Sequence, residues 1–176
     1  MKGIGDKFPE FKKTAVVSLE VGKEFKTVTS ECLKGKWSVI FWWPMDFTFV
    51  CPTEIVGFNE HYDGFVKLGA NLLGASTDSE YVHLAWRNSH PGLKNLKFPM
   101  LADTSKSLSE ELGIQHPDNK VAYRATFIID PEGIIRWVNV NELAIGRNVP
   151  EVLRVLEALQ TGKLTPCNWQ PGQATL

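Results

Sequence analysis

Apolar and polar positions follow two different periods along the chain, and each period marks a kind of element. Trp37 to Trp43 is apolar or aromatic at every position except Ser38, a run that suits a central strand covered on both faces. Leu72 to Ala75 is a second short run of the same kind. From Pro52 to Leu68, residues Ile55, Phe58, Tyr62, Phe65 and Val66 recur at helical spacing, and proline is favoured at a first helical position. The spacing therefore predicts a helix opening at about Cys51. Tyr81 to Arg87 and Ser105 to Leu112 read as shorter helices, the second ended by Gly113. Weak alternation near the start predicts strands at Ala15 to Leu19 and Phe25 to Thr29, with Gly22 in the turn between them. Further on, Ala125 to Ile129 and Ile134 to Val140 flank Asp130-Pro131-Glu132-Gly133, the pattern of an antiparallel hairpin. Asn148 is placed to cap a last helix whose Val149, Val152, Leu153, Leu156 and Leu159 line one face and which Gly162 closes.

Alternating strands and helices followed by a hairpin and a helix predict an α/β protein with a mixed central sheet flanked by helices on both faces. That order suits a thioredoxin-like fold. No repeat, low-complexity tract or linker interrupts it, so a single domain over 1–176 is expected. Residues 163–176 form a tail that carries Pro166 and Pro171 and has no helical period. A chain of 176 residues, 43% hydrophobic, is large enough for one sizeable core. Its 19 basic and 20 acidic residues give a formal net charge of -1, which offers no electrostatic footprint for nucleic acid or an anionic membrane. The longest uninterrupted apolar run, Val39 to Trp43, is far shorter than the roughly 18 residues a membrane span needs. Met1 to Pro9 contains Lys2, Asp6 and Lys7 and no apolar segment of a secretory signal, so a cytoplasmic location is expected.

Three cysteines, Cys32, Cys51 and Cys167, are too few for a disulfide framework, and neither they nor the four histidines stand at metal-ligand spacing. Gly35-Lys36 is no phosphate loop, because Trp37 occupies the Ser/Thr position. Cys32 reads as a small buried hydrophobe. Cys51 differs from it in standing at the mouth of the predicted helix, where free backbone N–H groups favour a thiolate. An ordinary thiol is only a few per cent ionised near neutrality, and a helix end contributes ~1 kcal/mol, ~2 at most, so a cation must come from elsewhere. Asp46 and Glu54 would oppose ionisation if they approached the sulfur. Arg124, directly before the Ala125 to Ile129 strand, is the cation that a thioredoxin-like sheet would bring beside the helix end. Thr48 has a hydroxyl able to hold one oxygen of an O–O bond while sulfur attacks the other. Pro44 would cover the site without offering a competing N–H.

The segment Pro44-Met45-Asp46-Phe47-Thr48-Phe49-Val50-Cys51-Pro52-Thr53-Glu54 closely resembles the active-site segment of typical two-cysteine peroxiredoxins, in particular the alkyl hydroperoxide reductase peroxidase-subunit group. The similarity extends through Ser76 to Glu80, His83 to Trp86, Arg124 to Gly133, Gly146-Arg147-Asn148 and Cys167-Asn168-Trp169. It implies that Cys51 is the peroxidatic cysteine, oxidised to a sulfenic acid by hydrogen peroxide or alkyl hydroperoxides, with peroxynitrite a further candidate. It implies that Pro44, Thr48 and Arg124 complete the pocket, and that Glu54 and Arg147 orient Arg124. Glu54 is equally readable as a first-turn acid answering the helix dipole.

Cys167 would then be the resolving cysteine, forming a disulfide with Cys51 of a second chain after the first turn of the Cys51 helix unwinds. The commonest tail pattern places that cysteine two residues earlier, at Thr165. The external thiol reductant is therefore left open between a thioredoxin-like protein, a flavoprotein and a separate dithiol protein. The resemblance further implies a homodimer, rings of dimers, and no metal, haem or flavin, while the lack of the Gly-Gly-Leu-Gly insert of overoxidation-sensitive relatives at Asn88 to Leu93 predicts relative resistance to overoxidation. Two rival functions are an oligomeric holdase chaperone on the same scaffold and a dithiol-disulfide oxidoreductase. The latter is disfavoured because Cys51 has no cysteine three residues away.

Overall fold

The computed structural model describes residues 1–176 and shows seven strands and five α-helices. In chain order these are β1 (Lys12–Val16), β2 (Phe25–Thr29), β3 (Ser38–Trp42), α1 (Val50–Glu60), α2 (Tyr62–Lys67), β4 (Asn71–Ser76) and α3 (Glu80–Ser89). There follow β5 (Met100–Ala102), α4 (Ser107–Leu112), β6 (Arg124–Ile129), β7 (Ile135–Asn141) and α5 (Val149–Gln160). The sheet order is β2-β1-β5-β4-β3-β6-β7. β4 runs parallel to β3 and β5, and every other pairing is antiparallel.

β3 lies inside the sheet with all five residues buried, as its unbroken apolar run demands. Its alternation divides the interior into two layers. Val39 and Phe41 pack with Ile55, Phe58, Phe65, Trp86, Val152 and Leu156 from α1, α2, α3 and α5. Ile40 and Trp42 face the other way, onto Phe8, Phe11 and the α4 residues Leu108 and Leu112. Helices thus cover both faces of a mixed sheet, which is the expected thioredoxin-like arrangement. The Phe41 and Phe58 rings stack at 3.8 Å between centroids and fix α1 over β3.

Three elements differ from the sequence-based expectation. β1 begins and ends three residues earlier than Ala15 to Leu19: its last ladder pair is Val16 with Phe25, and beyond it only the Val17 N–H reaches across, to the Glu24 carbonyl, before the turn closes at Glu20 to Lys23. The alternation of Val17 and Leu19 persists past that last pair and misplaces the strand. The helix expected over 52–68 is two helices broken at His61, whose ring nitrogen Nδ1 and backbone N–H both lie on the Gly57 carbonyl. The apolar period runs through the break because both helices lay residues of one face on the same layer. β5 went unread, since three residues after Pro99 are too few to show a period.

The expected hairpin forms between β6 and β7 around Asp130. Asp130 Oδ1 accepts the N–H groups of Glu132 and Ile134 at 3.0 and 2.9 Å, and Oδ2 accepts Arg136 Nε. Burial pushes this carboxyl up, but the Ile134 N–H, Arg136 and the Glu132 N–H outweigh it and hold it below the ordinary value of 3.8. A depressed carboxyl contributes stability that is complete above the ordinary range and is lost as pH falls through the lower folded-state value. Asp130→Asn is expected to cost about 1–3 kcal/mol at neutral pH and to flatten the acid limb of the stability curve, measured by denaturant unfolding across pH.

Candidate active site

The site begins where β3 stops. Trp43 to Phe49 form a loop, and α1 then opens at Val50 with no side-chain cap at Phe49, so Cys51 sits in an uncapped first turn. Its first N–H groups carry the helix's partial positive charge toward the sulfur. Cys51 is 1% exposed. β6 lies beside β3, with Phe41 opposite Thr126, and this register brings Arg124 at the head of β6 to the same end of the sheet. Arg124 Nη1 donates to Cys51 Sγ at 3.4 Å and to Glu54 Oε2 at 2.6 Å, while Nε donates to the Leu143 carbonyl at 2.7 Å.

Arg147 completes the cluster from the connection between β7 and α5. Its backbone N–H and Nε donate to Glu54 Oε1 at 2.9 and 2.8 Å, and Nη2 donates to Oε2 at 2.8 Å. Nη1 donates to the Ala125 carbonyl at 2.9 Å, and the guanidinium plane rests over the Phe41 and Phe58 rings. Glu54 therefore accepts four N–H groups and belongs to the arginine network. The alternative of an acid serving the helix dipole alone does not describe it. Burial lowers Arg147 and its proximity to Arg124 lowers it further, against the opposing pull of Glu54 and of Cys51.

Two buried guanidinium groups and one carboxylate leave one positive charge without a partner. The Arg124 nitrogen that bridges to Cys51 directs that charge at the sulfur, and a thiolate there would neutralise the group. Asp46, expected as a threat to such a thiolate, is turned away. Its Oδ1 accepts Trp43 Nε1 at 2.7 Å and its Oδ2 lies 2.6 Å from His83 Nδ1.

The other site residues are brought together unevenly. Pro44 and Thr48 are half-buried on the loop, and the Thr48 hydroxyl donates to the Met45 carbonyl at 2.9 Å, leaving its oxygen free to accept a hydrogen bond. Cys167 is an exposed free thiol on the tail and makes no disulfide within the chain. Nearby, Arg154 Nη1 donates to the Trp169 carbonyl at 2.9 Å, and Trp169 is buried. The Arg154 charge is reinforced chiefly by Glu151 and in a smaller part by Cys167. Cys32 is half-buried and burial pushes its thiol up, as befits a packing cysteine.

Sequence reasoning missed the Asp46–His83–Trp43 cluster and the Leu143 carbonyl that orients Arg124. Without metal spacing the histidines read as surface or packing residues; His83 is a packing residue, fully buried, and its bond to Asp46 is what the sequence does not show. An aspartate in an otherwise apolar loop was the available signal that a buried partner was needed.

A thioredoxin-like sheet that sets a buried, arginine-held thiol at a helix mouth defines a protein built around cysteine chemistry. The description "AhpC/TSA family" matches residues 4–138. The alkyl hydroperoxide reductase C of Mycolicibacterium smegmatis is 47% identical, covering 98% of this chain and 92% of its own length. Peroxiredoxin-2 of Mus musculus is 44% identical, covering 98% and 89%. Among solved structures, Mycobacterium tuberculosis AhpC superposes with a TM-score of 0.88 at 46% identity, over 97% of this chain and 99% of that one. The reduced Plasmodium vivax 2-Cys peroxiredoxin gives 0.91 at 37% identity, over 99% and 93%. The chain belongs to the AhpC/TSA family.

Removing the carboxylate would leave two buried guanidinium groups facing each other. Glu54→Ala is expected to destabilise the fold by about 3–5 kcal/mol in chemical denaturation, far more than removal of an exposed glutamate such as Glu20.

Proposed function

We propose that this protein is a thiol-dependent peroxidase that reduces hydrogen peroxide and alkyl hydroperoxides, with peroxynitrite a further substrate. Support comes from family membership and from relatives named alkyl hydroperoxide reductase C and peroxiredoxin. The observation that carries the reading is the Arg124 Nη1 to Cys51 Sγ contact at 3.4 Å, within a cluster short of one negative charge. Metal, haem and flavin have no role in this scheme.

The Cys51 thiolate attacks the terminal oxygen of the hydroperoxide. The S–O bond forms as the O–O bond breaks, leaving a sulfenic acid on sulfur, and the departing alkoxide takes a proton from solvent to become the alcohol. Arg124 donates to the oxygens as charge passes between them, and the Thr48 oxygen accepts the hydroperoxide O–H. Pro44 screens the site and offers no donor to compete. Cys167 of a second chain then condenses with the sulfenic acid, forming the disulfide and releasing water, and an external dithiol reductant reopens it.

Because Cys51 is buried, resolution requires the first turn of α1 to unwind until the two Cα atoms stand about 4.4–6.8 Å apart. The missing side-chain cap at Phe49 makes that turn the least secured of the helix. A homodimer assembled into rings is supported by the exposed Met45, Phe47 and Phe49 of the loop and by the Phe25–Tyr81 ring pair near the opposite sheet edge. No helix is long and apolar enough to cross a membrane. Three free cysteines suit a reducing cytoplasm. The reductant is a thioredoxin-like protein, a flavoprotein or a separate dithiol protein.

The test is non-reducing electrophoresis after one equivalent of peroxide. Wild type is expected to give a covalent dimer, Cys167→Ser to give none while still losing its Cys51 thiol, and Cys51→Ser to neither crosslink nor consume peroxide. Peroxide turnover by Cys51→Ser would reject the reading.

A further inference from the structure

The α3 helix carries none of the groups assigned to the reaction, yet it grips the loop that carries two of them. His83 is completely buried, with Nδ1 2.6 Å from Asp46 Oδ2 and Nε2 3.2 Å from the Leu101 carbonyl. A carbonyl only accepts, so Nε2 carries a hydrogen, and a single further proton is shared between Nδ1 and the Asp46 carboxyl. Burial raises that carboxyl above its ordinary value, and the His83 hydrogen bond offsets part of the rise. The other carboxylate oxygen and the backbone N–H of Asp46 are engaged as well. Trp43 Nε1 donates to Oδ1 at 2.7 Å, and the Asp46 N–H donates to Asp78 Oδ2 at 2.9 Å, an oxygen that also accepts the Ser76 hydroxyl at 2.7 Å.

One turn further along α3, the Trp86 ring lies 5.9 Å from that of Phe47. Phe47 has φ +56°, a left-handed backbone that is strained for a non-glycine residue and persists only where the surroundings enforce it. The enforced residue directly precedes Thr48. The Asp46–Phe47 pair, with Pro44 on one side and Thr48 on the other, is thus held at both of its residues by α3. A buried acid–histidine pair is a weak source of stability, since apolar replacements do as well, but it dictates register and angle as packing alone does not.

We infer that His83 is a positioning residue of the peroxidase reaction: through Asp46 it holds the loop in the strained form that presents Thr48 to a peroxide bound at Cys51. This rests on the roles proposed above for Cys51 and Thr48. Peroxide needs the sulfur and the loop together. A small alkylating agent needs the sulfur alone, so the two reactions separate a displaced loop from a damaged thiol.

The experiment compares the single-turnover rate of Cys51 oxidation by hydrogen peroxide with the rate of Cys51 alkylation by iodoacetamide, in His83→Phe, Asp46→Ala and Asp46→Asn. In folded protein, His83→Phe and Asp46→Ala are expected to slow peroxide about tenfold or more and to leave alkylation within about twofold of wild type. Asp46→Asn should restore most of the rate, because its amide can donate to His83 Nδ1 while its oxygen accepts Trp43 Nε1. Should His83→Phe not fold, the contrast between Asp46→Ala and Asp46→Asn gives the same answer from the loop side. Equal losses in both reactions, an undiminished peroxide rate, or an Asn variant as slow as Ala would each overturn the inference. A different failure marks the parent reading: peroxide consumed by Cys51→Ser, or an unchanged oxidation rate in Thr48→Val, removes the roles on which the inference stands.

Discussion

An unbalanced positive charge, sealed inside the protein and aimed at one sulfur, is the constraint around which the rest of this structure is arranged. Arg124 and Arg147 converge on the single carboxylate of Glu54, which is saturated by four N–H donors and can neutralise only one of them. Taking such a cluster out of water is expensive, and the cost is reduced by engaging the remaining guanidinium hydrogens with the Leu143 and Ala125 carbonyls and by resting Arg147 on two aromatic faces. What is left over falls on Cys51, at a helix end whose own dipole has the same sign of effect.

The fold exists, in this sense, to hold three distant stretches of chain in one small volume. β3 delivers the loop and α1; β6, hydrogen-bonded to β3, delivers Arg124; the connection after β7 delivers Arg147 and the Leu143 carbonyl. The two apolar layers on either side of β3 keep those deliveries in register, and the Phe41–Phe58 stack links the core directly to the underside of Arg147. The site residues stand on element ends supported by packing, and the turn that carries the sulfur has no side-chain cap.

Much of this was legible in the residues. The unbroken run at β3, the Asp130 hairpin and the Asn148 cap each have a local physical signature, and each appears where that signature points, Asn148 Oδ1 accepting the Glu151 N–H at 3.2 Å. The juxtaposition of Cys51 with Arg124 followed from the predicted strand order together with the need for a cation. What could not be read were features decided by tertiary contacts: β5, whose three residues pair only because β1 and β4 flank them, and the break at His61, which the apolar period crosses unmarked. The direction of Asp46 was likewise undetermined, because it is set by hydrogen bonds to Trp43 and to a residue distant in sequence. The partner that fixes it, His83, lies 37 residues away in sequence.

The most direct test is the ultraviolet absorbance of thiolate in reduced protein at neutral pH, compared among wild type, Cys51→Ser and Arg124→Gln. If the uncompensated arginine charge governs the site, wild type carries close to one thiolate per chain, Cys51→Ser loses it, and Arg124→Gln loses most of it while remaining folded. Equal absorbance in wild type and Cys51→Ser would mean that the sulfur is an ordinary protonated thiol, and the electrostatic origin of its reactivity would be contradicted.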